Sequence, residues 1–202
     1  MTASAWAALP PSVPQMPQNA RRRLCAALLR ACGWNLRGAF PDVPQLVLIA
    51  APHSSWWDGV WGLLFKVAIG IDIAFMGKRE LFVGPLGWLL RHLGGIPIER
   101  TAAHGLVEQM VARFRAQPRL WLGIAPEGTR RRVAQWRSGF WHIARAAGVP
   151  VLPIAFDYAT RSIVVGALFT PTADLDADIA ALRAWYRPFH GRNHDVEPAS
   201  AT

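Results

Sequence analysis

The feature that most constrains this chain is the alternation, from residue 45 to residue 187, of short apolar runs with longer segments of helical periodicity. The runs 46–50, 71–76, 96–98, 120–125, 151–156 and 163–166 are dominated by Leu, Ile, Val, Ala and Phe, the composition of buried strands. Between or after them, 59–68, 81–93, 106–114, 140–147 and 174–187 repeat apolar residues at the spacing of a helix face, and Asp174 is placed to cap the last. The pattern predicts an α/β fold: a single domain with a mostly parallel or mixed central sheet flanked by helices. No repeat, no linker and no Gly-rich phosphate loop interrupts it. The expected organisation is a disordered tail over 1–19, one domain over 20–187 with a motif-bearing core at 45–160, and a C-terminal tail over 188–202. Pro10, Pro11, Pro14 and Pro17, with few large apolar side chains around them, carry the first assignment.

Residues 20–36 form a further helical pattern, in which Leu24, Cys25, Leu28, Leu29 and Cys32 recur beside Arg21, Arg22, Arg23 and Arg30. Such a segment is either a basic amphipathic helix lying on a membrane or a helix docked on the core. Net charge is +9, and ten Trp residues accompany it. An anionic partner is expected, and Trp favours a membrane interface over nucleic acid. No apolar run approaches the ~18 residues of a spanning helix, and no secretory pattern opens the chain. The expectation is therefore peripheral or monotopic attachment on the cytoplasmic side. Cys25 and Cys32 lie too far apart along one helix to bridge, which argues against a disulfide framework.

Three strand ends carry chemistry. His53 follows the strand that ends at Ala50, so it falls at a carboxyl edge, where open α/β sheets place their sites. Asp58, five residues on, does not share a helix face with it; His53 belongs in the turn and Asp58 on the opening helix. A carboxylate accepting from one imidazole nitrogen fixes the tautomer and leaves the other nitrogen free to take a proton. Ser54 and Ser55 are no nucleophile elbow, so a substrate hydroxyl fills that part. Glu127, Gly128, Thr129 and Arg130 leave a second strand and offer guanidinium, hydroxyl and backbone N–H groups, the makings of an anion site. A third strand end delivers Arg100. Taken singly, each has a plainer reading: a helix cap for Asp58, a solvated loop for Arg131 and Arg132, an ion pair for Arg100.

The ordered set His53 to Asp58 (H-x4-D), Gly95 to Arg100, Glu127-Gly128-Thr129-Arg130 and Val149-Pro150-Val151-Leu152-Pro153-Ile154 resembles the four motifs of the glycerolipid acyltransferase family, which includes 1-acylglycerol-3-phosphate acyltransferases. The resemblance covers residues 45 to 160. It implies a glycerol-3-phosphate acyltransferase-like fold in which His53 deprotonates an acceptor hydroxyl and Asp58 orients His53. By the same match Arg100, Glu127, Gly128, Thr129 and Arg130 form the acceptor and phosphate site, while Val149, Pro150, Val151 and Pro153 flank an acyl channel. The sequence departs from the family at Pro97, Ala125 and Arg131.

The expected activity is transfer of a fatty acyl group from acyl-CoA or acyl carrier protein, as co-substrate, to a lysophospholipid, with 1-acylglycerol-3-phosphate first among acceptors. Another lysolipid, such as a lyso-aminolipid, is the alternative acceptor; a non-catalytic membrane-surface binding module is the alternative of another class. Backbone N–H groups of the 53–59 turn are expected to meet charge on the thioester oxygen. No cofactor and no metal are expected, because His92, His104, His142, His190 and His194 form no ligand pair with a carboxylate. Nucleic-acid binding has no motif behind it.

Overall fold

The computed structural model describes residues 9–17, 19–98 and 103–197. Among these, seven strands form one sheet: β1 (Asn35–Arg37), β2 (Gln45–Ala51), β3 (Ile73–Lys78), β4 (Gly95–Ile98), β5 (Leu120–Ile124), β6 (Val151–Asp157) and β7 (Ser162–Val165). Their order is β1-β7-β6-β2-β5-β3-β4, and every neighbouring pair is parallel except the β6–β7 hairpin. The six strands read from the sequence are all present. β1 was not foreseen, because three residues at a sheet edge are too short to display a period of two.

Among the described residues six α-helices flank the sheet: α1 (Ala20–Ala31), α2 (Trp56–Ile69), α3 (Gly84–His92), α4 (Ala103–Ala116), α5 (Gly139–Ala147) and α6 (Leu175–Tyr186). On one face Val47 and Ile49 of β2, Leu122 of β5 and Val151 of β6 pack on Met110, Phe114, Phe140, Ile143 and Leu182 from α4, α5 and α6. On the other, Leu46, Leu48, Trp121 and Leu152 meet Phe65 and Ile69 of α2 and Leu29 of α1. Strand β2 is thus buried on both sides, as central parallel strands are. α1 docks through Ala26 and Leu29 and leaves Leu24 and Leu28 exposed. Its Arg22 guanidinium donates to the carbonyl of Ile69 at 2.5 Å, at the α2 terminus where carbonyls lack helical partners.

Three segments differ from expectation. The helix foreseen over 81–93 is a 3-10 turn (Arg79–Phe82), an extended Val83, and then α3, because Pro85 is tolerated only in the first turn of a helix. α3 passes so close to Phe82 that a Cβ on Gly87 would lie 2.1 Å from its carbonyl carbon. Residues 9–17, assigned to a disordered tail, are docked. Val13 is fully buried, Asp72 N–H donates to the carbonyl of Pro14, and Met16 N–H to that of Gly70. Prolines restrict the unfolded chain, so fixing this segment costs less entropy than its composition suggests. Residues 188–197, also assigned to a tail, are irregular but held: Val196 is buried in the core, and Arg187 and Arg183 of the α6 region grip Glu197 at 2.8 and 3.6 Å.

The fully buried Tyr186 closes α6 over the sheet. Its hydroxyl accepts the Ile154 N–H at 3.1 Å and donates to the Ile49 carbonyl at 2.9 Å, standing between β2 and β6 where a direct ladder bond would run. The two strands stay in register to Ala51 and Ala155, and the site begins just beyond that edge.

Candidate active site

Register brings the site together. Ile49 of β2 pairs with Ile124 of β5, so the residues that follow each strand leave the sheet side by side, about 4.8 Å apart. His53 and Glu127 are then neighbours, and the His53 N–H donates to Glu127 Oε2 at 2.9 Å. Ser55 caps α2, and Asp58 at the third helical position completes a capping box by accepting the Ser55 N–H through Oδ2 at 2.7 Å. The same Oδ2 lies 3.5 Å from His53 Nδ1. The plainer reading of Asp58 as a cap is correct, and the cap is what aims its carboxylate at the imidazole. At 3.5 Å the contact is longer than a direct hydrogen bond.

Burial divides the labour within this pair. The Asp58 side chain is inaccessible, whereas that of His53 is 28% exposed. The carboxylate's other oxygen, Oδ1, accepts the Tyr158 hydroxyl at 2.5 Å. Burial first, and the Asp58 carboxylate second, hold that hydroxyl far above the usual tyrosine range, so Tyr158 remains a donor. Asp58 is therefore fixed from three sides, by the Ser55 N–H, the Tyr158 hydroxyl and the His53 ring.

Glu127 is buried, and its Oε1 has no hydrogen-bond partner among the described residues. Burial raises its pKa to about 7, opposed by the His53 N–H and by the charges of His194 and Arg183 and reinforced by Asp58. Gly128 stands at φ 66, and a Cβ there would lie 2.6 Å from Arg137 Cδ. Thr129 Oγ1 accepts the Arg131 N–H at 3.3 Å. The Arg130 guanidinium carbon sits 3.4 Å from the centroid of the Trp56 ring, and Arg131 and Arg132 extend into solvent. β4 ends on this same edge at Ile98; Arg100 lies outside the described residues.

A cavity of about 1700 Å³ opens at His53 and Asp58. Thr129, Arg130 and Arg137 are among its polar lining residues, with Gly128 beside them, and Leu63, Phe65, Ile73, Phe75, Ile154 and Phe156 belong to its apolar body. The expected channel residues Val149, Pro150, Val151 and Pro153 do not line it. Val151 faces the helices of the opposite layer, Val149 is buried with it, and Pro150 and Pro153 lie in or beside the middle of the sheet. The same strand reaches the cavity further along, through Ile154 and Phe156. Among the amides of the turn, those of His53, Ser55 and Trp57 are already engaged, by Glu127, Asp58 and the Ser55 hydroxyl. The described residues contain no cluster suited to a metal ion and no helix long and apolar enough to cross a membrane.

Sequence reading missed Tyr158, Arg137 and the loop after α6. Tyr158 was within reach: it directly follows β6, which runs parallel to β2 and ends on the same edge. Asn193, which donates through N and Nδ2 to Ser54 Oγ and O at 3.1 and 2.7 Å, left no periodic signal to find.

Residues 40–157, more than half of the chain, match the Acyltransferase family. The chain is 35% identical over 95 residues to a 1-acyl-sn-glycerol-3-phosphate acyltransferase of Escherichia coli (strain K12), a stretch covering 44% of this chain and 38% of that protein. It is 33% identical over 86 residues to the Haemophilus influenzae protein of the same name, covering 39% and 35%. The matched stretches thus span well under half of these relatives. The crystal structure of the 1-acyl-sn-glycerophosphate (LPA) acyltransferase PlsC from Thermotoga maritima superposes with a TM-score of 0.57 over 85% of this chain and 80% of that one, at 15% identity, which shows a shared fold. With H-x4-D at the end of β2 and Glu-Gly-Thr-Arg at the end of β5, the chain belongs to the acyltransferase family.

Proposed function

We propose that the protein transfers a fatty acyl group from a thioester, acyl-CoA or acyl carrier protein, to the free hydroxyl of a lysophospholipid, with 1-acylglycerol-3-phosphate as acceptor. The observation that carries this reading is that the His53–Asp58 pair and Arg130 line one large, mostly apolar cavity. Asp58 holds Nδ1–H, so Nε2 takes the proton of the acceptor hydroxyl. The hydroxyl oxygen bonds to the thioester carbon, the C–S bond then breaks, and the proton passes from His53 to the departing thiolate. The positive dipole at the amino end of α2 stabilises the charge that develops on the thioester oxygen. The acyl chain occupies the apolar body of the cavity. Arg130, pre-positioned on Trp56, reads the acceptor phosphate, with Thr129 beside it and Arg100 as a second cation.

Attachment to an anionic membrane surface, on the cytoplasmic side, belongs to the same proposal. Trp56, Trp57 and Val60 of α2 are exposed beside the site, as are Leu24 and Leu28 of the Arg-rich α1 and Val83, Leu86, Trp88 and Leu89 around α3. Apolar side chains of this size with basic neighbours suit an interface where lipid substrates reside. The test is a panel of labelled acyl donors and lysolipids offered to the purified protein. Arg130→Ala should raise KM for a phosphate-bearing acceptor at least tenfold while donor KM stays within twofold; equal effects on both would remove Arg130 from phosphate recognition.

A further inference from the structure

The loop that follows α6 reaches back across the site and fastens three of its parts at once. Asn193 grips Ser54, next to His53, by both its backbone N–H and its side-chain amide. His194 Nε2 lies 3.1 Å from the carbonyl oxygen of Arg130. The His190 carbonyl accepts the N–H of Tyr158 at 2.8 Å, and its own N–H donates to Asp157 at 3.3 Å. The β2–α2 turn, the Glu127–Arg130 turn and the end of β6 are thereby joined through residues that lie outside the stretch matched to the family.

The loop is itself braced. Asp195 accepts the Gly191 N–H at 2.9 Å and stands 3.1 Å from His190 Nδ1. Gly191 passes so near the turn that a Cβ would lie 2.1 Å from the His194 carbonyl oxygen and 3.0 Å from both Pro52 Cβ and Ser54 Oγ. Val196 in the core and Glu197 on Arg183 and Arg187 anchor its far end. Exposed polar residues with no core to fill are here committed to backbone groups one residue from the imidazole.

We propose that residues 190–195 are a working part of the site, and that Asn193 is a positioning residue that sets the orientation of the His53 turn through its two hydrogen bonds to Ser54. His53 has an imidazole to aim at Asp58 on one side and a substrate hydroxyl on the other, and its backbone is held by Glu127 before it and Asn193 after it. Removing one hold lets the ring drift by a fraction of an ångström. Misplacement on this scale lowers the rate of a chemical step by about tenfold to a hundredfold without weakening substrate binding.

This inference rests on the acyl-transfer reading for the task of the turn, though not for the bonds that hold it, so two readouts are needed. In Asn193→Ala, kcat should fall about tenfold or more while both KM values stay within twofold and Tm moves little. The ring ¹⁵N resonances of His53, assigned by their loss in His53→Ala, should titrate with a shifted midpoint in the variant, because the contact with Asp58 has changed. Asn193→Asp keeps the side-chain size and the backbone bond while removing the amide donor, and carries the same test should the alanine variant fold poorly. Wild-type kcat together with an unmoved His53 midpoint in a folded variant would overturn the proposal. A shifted midpoint in a protein that transfers no acyl group would uphold the loop's role and refute the acyl-transfer reading instead.

Discussion

Glu127→Gln should make the folded protein less sensitive to pH, and the size of the effect follows from burial. In the unfolded chain this carboxyl titrates near 4.5, whereas burial raises it to about 7 in the fold. A raised carboxyl contributes stability that is fully present below about 4.5 and lost as pH climbs through about 7, because the unfolded state then sheds a proton that the folded state retains. The interval between the two values corresponds to about 3 kcal/mol. Gln cannot ionise, and its amide oxygen can still accept the His53 N–H. Urea unfolding of both proteins at pH 5 and pH 8 isolates the contribution, since His194, Asp58 and Arg183 are common to both. Because part of that interval lies below pH 5, the wild type should lose about 2.5 kcal/mol relative to the variant between those pH values. Parallel pH profiles would refute the reasoning and mean that the Glu127 carboxyl is not held in a water-poor setting.

Tyr186→Phe should lower stability by about 2 kcal/mol, or roughly 4–8 °C in Tm, because the Ile154 N–H and Ile49 carbonyl lose the hydroxyl that joins them; calorimetry reads this, and an unchanged Tm would show that the strands close without it. Gly62→Leu should shift donor preference from palmitoyl towards octanoyl thioesters, since Gly62 lines the cavity and even a Cβ there would lie 3.3 Å from Phe156 Cζ. A competition assay with mixed donors measures the ratio, and an unchanged ratio would place the acyl chain elsewhere.

Much of the fold was legible because its central strands are buried on both faces and so read as unbroken apolar runs, as in 46–50 and 151–156. What escaped was decided by tertiary contact rather than by pattern. Val13 looks like one apolar residue among prolines until the groove beside Gly70 and Asp72 is present to receive it. The polar loop 190–195 has no period at all; its order comes from hydrogen bonds to residues far earlier in the chain, such as Ser54 and Arg130. In the site, His53, Asp58, Glu127 and Arg130 were found together because parallel strands deliver their carboxyl ends to one edge. The residues expected beside an acyl channel do not line the large cavity, because a motif marks the strand and not the register at which that strand meets a cavity: Val151 packs in the core, and Ile154 and Phe156 do the lining.

The central claim is that His53 removes the proton from the incoming hydroxyl. Its most direct test is the single-turnover rate of acyl transfer from a labelled thioester to 1-acylglycerol-3-phosphate by His53→Ala and by the wild type, with both shown to be folded by circular dichroism. Loss of a positioned general base should lower the rate by about 10²–10⁴-fold. A rate within a few-fold of the wild type would contradict it.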